Sequence, residues 1–149
     1  LRSILNEEIQ AEHAEILDLF VKDRKQHVSE KIEPALADGK TVVMDRYYHS
    51  TMAYQSASGF SMEKIRVDNS FAPVPDLILI LDIPVRDGIK RVLKSRSADK
   101  FEKEDYLNRV RKQYLKFKDE PNVYFVDATL FVQEVQSNIW SIVENAMGS

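Results

Sequence analysis

The chain has 149 residues, 44% of them apolar and 30% charged, with a formal charge of −3. That composition is ordinary for a globular protein, and the length suits one domain, residues 1–149, burying ~70% of its unfolded surface. Charges of both signs are mixed along the chain, which argues against a general nucleic-acid binder. The lack of cysteine rules out disulfides and thiolate metal sites and fits a reducing cytoplasm. No apolar run reaches the ~18 residues of a membrane span, and no signal peptide is visible.

Asn6, Glu7 and Glu8 read as a helix start: a cap, then acids near the positive end of the dipole. The helix is expected to run from about Glu7 to Asp38, with Ile9, Leu17, Phe20, Val28, Ile32 and Leu36 as its apolar stripe. Pro34 is expected to kink or break its last turn, and Gly39 to end it in the left-handed conformation. Thr41 to Asp45 reads as a short strand. A helix from about Ser50 to Ser56 follows, then a loop around Gly59. Ser61 can cap a helix from Met62 to about Ser70. Asp76 to Ile83, DLILILDI, is continuously apolar, as expected of a parallel strand buried on both faces. Helices over Val85 to Lys94 and Glu102 to Lys118 flank a polar, basic loop. Tyr106, Val110, Tyr114 and Phe117 lie near one face of the second. Val123 to Asp127 reads as a third strand. A last helix, Leu130 to Ala146, is expected to pack with Val135, Ile139, Ile142 and Val143. Strands alternating with helices predict a layered α/β domain with a mostly parallel sheet.

Chemistry concentrates in VVMDRYYHSTMAYQ, residues 42–55. Asp45 and Arg46 follow an apolar run directly, and open α/β sheets bind ligands at the carboxyl ends of their strands. Arginine presents a planar, permanently charged fork that fits phosphate, and a neighbouring carboxylate can orient that fork or a metal-bound water. The plain alternative is a structural Asp-Arg pair at a strand end. The Asp45-Arg46-Tyr47 segment resembles the DRY motif of thymidylate kinases, in the P-loop nucleoside monophosphate kinase group. Leu19 to Arg24, LFVKDR, is similar to the helix that lines the nucleobase pocket in that family. Phe20 and Arg24 are four residues apart and share one helix face. The alternative there is a core phenylalanine and a solvated arginine.

The resemblance implies a set of roles. Phe20 stacks on thymine, and Arg24 hydrogen-bonds its carbonyl edge. Arg46 holds the acceptor phosphate, with Asp45 positioning that phosphate and a magnesium-bound water network. Tyr54 lies against the deoxyribose and crowds out a 2′-hydroxyl. Thr51 is a small polar position near the base, with Ser50 and Gln55 as second choices. The lid loop is residues 95–101. Its Asp99-Lys100-Phe101-Glu102 resembles the family's D-R-x-E, but lysine stands where the family has arginine. Arg96 or Arg91 is then the better source of the charge that phosphoryl transfer needs; a solvated basic loop is the alternative. Asp127-Ala128-Thr129 resembles the segment that borders adenine, with Arg91 beside it. The three histidines show no metal-ligand spacing, so no protein-held metal is assigned; Mg2+ arrives with ATP.

A G-x-x-x-x-G-K-[ST] phosphate loop cannot be written with Gly39, Gly59, Gly88 and Gly148. The expected fold is therefore a three-layer, P-loop-kinase-like parallel sheet flanked by helices, lacking the first strand, the phosphate loop and the second strand. The sequence reads as part of a longer chain. The alternatives are that a second polypeptide supplies those strands, or that the orphan edges pair differently. The expected reaction is phosphoryl transfer from Mg-ATP to dTMP, giving dTDP, in a homodimer, and poor activity for these 149 residues alone. The alternatives are another nucleotide or deoxynucleoside kinase of this fold, and a non-catalytic nucleotide-binding or interaction module.

Overall fold

The computed structural model describes residues 2–92 and 99–148, and the backbone alone for residues 2–13, 92 and 99–102. The chain divides into two compact units, Leu1–Val74 and Pro75–Ser149.

The first unit is helical. Helix α1 spans Arg2–His27 and continues without a break through a π-helical stretch, Val28–Ile32, into α2, Glu33–Ala37. Asn6 thus lies inside α1 and does not cap it. The π turn has a sequence cause. Pro34 cannot donate a backbone hydrogen bond, and its ring crowds the carbonyl four residues earlier. The ladder loosens by one residue ahead of it, and the Glu33 N–H reaches the Val28 carbonyl. The helical run ends as expected at Gly39, with φ +73°. The Gly39 N–H bonds the Leu36 carbonyl at 2.9 Å and the Lys40 N–H bonds the Ala35 carbonyl at 3.0 Å, a Schellman closure.

Residues 41–45 form no strand, contrary to the sequence expectation. A strand exists only when a neighbour takes its N–H and C=O groups, and no described segment runs alongside this one. Val43 is 90% exposed. Helix α3 then spans Tyr48–Ala57, longer than expected at its start, and α4 spans Met62–Asp68. The Ser61 hydroxyl caps α4, accepting from the Lys64 N–H at 3.3 Å. The core of this unit is Leu17, Val28 and Ile32 of the first helical run, Met52 and Ala53 of α3, and Ile65 of α4. Leu36, expected in the stripe, is exposed.

The second unit carries the sheet. Strands β1 (Ile78–Asp82) and β2 (Val123–Asp127) pair in parallel, Ile78 opposite Val123 and Asp82 opposite Asp127. Between them come α5 (Val85–Val92), α6 (Asp99–Tyr114) and a 3-10 turn, Leu115–Asp119; α7 (Val132–Met147) follows β2. The parallel pairing was legible in the unbroken apolar run, but burial of β1 on both faces is not observed. Leu81 is 54% exposed and no β1 residue is fully buried, because the described sheet has only two strands. Phe117, Val110 and Ile89 pack with Val123 and Val126 of β2 in the core. The four expected core residues of α7 are only half-buried. No helix among the described residues is long and apolar enough to cross a membrane.

Candidate functional site

In the first unit one guanidinium ties three helices together. Arg24 of α1 donates from Nη1 to Asn69 Oδ1 (2.5 Å) and from Nη2 to Thr51 Oγ1 (3.0 Å). Thr51 lies on the second turn of α3 and is buried; Asn69 follows the last residue of α4 and is 2% exposed. The Arg24 Cζ also sits 5.6 Å from the centre of the Tyr47 ring, within cation–π range. Burial lowers the pKa of Arg24 from its ordinary value, opposed by Tyr47, Asp23 and Tyr48. An arginine keeps its charge through such a shift. Both of its hydrogen-bond acceptors are neutral, so that charge is not cancelled by them.

Arg46 is the one described residue other than glycine with positive φ, +65°. Such backbone is uncommon for a bulky side chain and concentrates at functional sites. Its exposed guanidinium lies 5.3 Å from the centre of the half-buried Tyr54 ring on α3. Asp45 is exposed beside it. Gln55 is half-buried, and its Oε1 has no partner among the described residues. Ser50 is half-buried one residue before Thr51. Helix α3 thus brings Thr51, Tyr54 and Gln55 together behind the Asp45-Arg46 bend. Phe20 lies one turn before Arg24 on α1, is 45% exposed, and makes no ring contact among the described residues. The broad hollow of this unit, about 770 Å³, is lined by Leu17, Val21, Lys25, Phe60 and Phe71 among others, and by neither Phe20 nor Arg46.

In the second unit the described members of the expected adenine border meet. Arg91 Nη1 donates to the Ala128 carbonyl (2.9 Å), and the Ala128 N–H donates to the Asp82 carbonyl (2.9 Å). Asp127 Oδ1 accepts from the Thr129 hydroxyl (2.6 Å) and the Thr129 N–H (2.8 Å), and these bonds hold its pKa below the ordinary carboxylate value. Arg96 lies outside the described residues, as does the Lys100 side chain. Among the described residues no group of three or more His, Asp or Glu is arranged to hold a metal ion.

Sequence reasoning missed Asn69 and gave Tyr47 no role beyond the motif. Asn69 carries no local signal except its place at a helix end. The Tyr47 hydroxyl is buried without a hydrogen-bond partner among the described residues, which only packing reveals. It also missed the Asp82–Arg111 pair, bidentate at 2.7 and 2.8 Å. The parallel register sets Asp82 opposite Asp127, so two carboxylates end adjacent strands. Arg111 neutralises one and Thr129 hydrogen-bonds the other.

Comparison with known proteins gives these arrangements a family. Residues 1–139 match the family model described as thymidylate kinase. The thymidylate kinase of Desulfotalea psychrophila is 41% identical over 143 residues, covering 93% of this chain and 69% of that protein. The probable thymidylate kinase of Archaeoglobus fulgidus is 44% identical over 132 residues, covering 88% and 67%. That of Pyrococcus horikoshii is 38% identical over 131 residues, covering 87% and 64%. The chain thus spans about two thirds of the length of the curated relatives it matches. A chain with a parallel strand pair, a DRY bend and a half-buried arginine held by neutral groups, matching these proteins over nearly all of its length, belongs to the thymidylate kinase family of phosphotransferases.

Proposed function

We propose that this chain contributes the acceptor side of an enzyme that moves the γ-phosphoryl of Mg-ATP onto dTMP, giving dTDP. The observation that carries the reading is the arginine pair of the first unit. Arg24 is charged, half-buried and held by neutral groups; Arg46 is charged, exposed and aimed by an unusual backbone. One suits a carbonyl edge of a base and the other a phosphate monoester. Tyr54, against Arg46, takes the sugar. Phe20, one turn before Arg24 and half-exposed, stacks on the pyrimidine. Asp45 is exposed and can orient a water bound to the magnesium that accompanies ATP. Asp127 and Ala128, with Arg91 tied to the latter, border adenine.

Catalysis in this reading is positioning plus stabilisation of charge on the transferred group. The basic loop, residues 95–101, acts as the lid, with Arg96 or Arg91 supplying charge. Residues 1–149 form part of one thymidylate kinase-like domain, and exposed Ile16 and Leu19 on α1 support self-association through that helix.

Titration calorimetry with dTMP, dUMP, dCMP and thymidine tests the reading. The expected outcome is preference for dTMP, abolished in the Phe20→Ala/Arg46→Ala double variant. Preference for thymidine, or binding that survives both substitutions, overturns it. These 149 residues contain no glycine-rich phosphate loop, so a coupled assay of this polypeptide by itself is expected to show little turnover.

A further inference from the structure

Asn69 is buried, polar and unassigned, and it touches the Arg24 guanidinium directly. Its amide can face only one way. Nδ2 donates to the Ile65 carbonyl at 2.7 Å, which turns Oδ1 toward Arg24. The backbone around it is equally fixed. The Asn69 N–H reaches the carbonyls of Ile65 and Arg66, and its own carbonyl accepts from the Ala72 N–H at 3.0 Å. The end of α4 therefore presents one acceptor oxygen at a set place. Arg24 spends one Nη1 hydrogen on it and one Nη2 hydrogen on Thr51. Among the described residues, three of the five guanidinium hydrogens remain without an acceptor, pointing in directions the two anchors determine.

We propose that Asn69 is a positioning residue that sets base selectivity by holding Arg24 with its free donors toward an acceptor oxygen. The inference rests on the dTMP reading above and adds the residue that enforces it. A guanidinium locked in this way has donors to offer and no acceptor. It favours a pyrimidine with a carbonyl at position 4, as in dTMP, over one with an amino group there, as in dCMP. A loose guanidinium can swing aside and loses that preference, because rejection needs a fixed polar group left unpaired by the wrong ligand.

The test uses the whole chain and its Asn69→Leu, Asn69→Ser and Asn69→Asp variants, each checked for folding by amide NMR dispersion. Without ligand, the Arg24 side-chain N–H signals are expected to be resolved in the parent and in Asn69→Asp, which keeps an acceptor. They are expected to average in Asn69→Leu and Asn69→Ser. With ligand, the affinity ratio of dTMP to dCMP is expected to fall about tenfold in the Leu and Ser variants and to survive in Asn69→Asp. Tenfold is what loss of one hydrogen bond in this range produces. Unchanged Arg24 signals in both Leu and Ser variants overturn the inference. So does an unchanged ratio with changed signals, the pattern of a merely structural residue. A parent chain that binds no mononucleotide while Asn69 still orders Arg24 overturns the dTMP reading instead, and with it the link to base choice.

Discussion

The two units treat their arginines differently. In Leu1–Val74, Arg24 is held by an amide oxygen, a hydroxyl and an aromatic ring, and Arg46 lies against a second ring. In Pro75–Ser149, Arg111, Arg86 and Arg109 are met by the carboxylates of Asp82, Glu104 and Asp105, while Arg91, on the Ala128 carbonyl, has a neutral acceptor as Arg24 does. A carboxylate cancels the charge it anchors. A neutral acceptor orients the fork and leaves the charge for something else. The first arrangement is suited to receive an electron-rich ligand, the second to fix strands and helices in place. Counting arginines does not separate them; the identity of their partners does.

The largest expected effect probes the receiving side. Arg46→Lys should weaken dTMP binding roughly 10- to 150-fold, the range of one charge-assisted hydrogen bond, and leave thymidine binding nearly unchanged. A point ammonium cannot replace the fork. Calorimetry with both ligands checks it, and equal losses for the two would remove Arg46 from the phosphate. A smaller effect probes the structural side. Asp82→Asn should cost about 1 kcal/mol in urea denaturation, as for a well-aligned but partly exposed pair. A loss several times larger would mean that Arg111 is not merely a strand-end clamp. The smallest effect is a pH dependence. Hydrogen bonds from Thr129 depress the folded pKa of Asp127. Its contribution to stability is therefore full above the unfolded aspartate value, about 3.9. It declines as the pH falls through the lower folded value. Acid unfolding of Asp127→Asn, compared with the parent, should lack that decline.

The second unit was the more legible from sequence. Val123–Asp127 was readable to the residue, and β1 was placed within two residues, because unbroken apolar runs between turn signals say strand strongly. The Schellman end at Gly39 and the Ser61 cap were equally plain, since each depends on one residue's chemistry. Thr41 to Asp45 shows the limit. Its β-branched residues suit a strand, but pairing depends on a neighbour that propensity cannot supply. In the site, Arg24, Arg46, Thr51 and Tyr54 stood out by resemblance to the family's motifs. Asn69 did not, because it meets Arg24 across 45 residues and nothing in a single sequence encodes that distance. The hydroxyl of Tyr47, without a partner among the described residues, was invisible for the same reason.

The left-handed backbone at residue 46 sets durability against use. That conformation costs an ordinary side chain about 1–2 kcal/mol, and glycine would adopt it freely. Arg46→Gly should release that strain, less the disorder glycine adds to the unfolded chain, while deleting the cation. Selection of variants for heat resistance alone should drift toward glycine at this position, and a library screened that way would fill with sturdy proteins that lack the cation proposed to meet a nucleotide's phosphate.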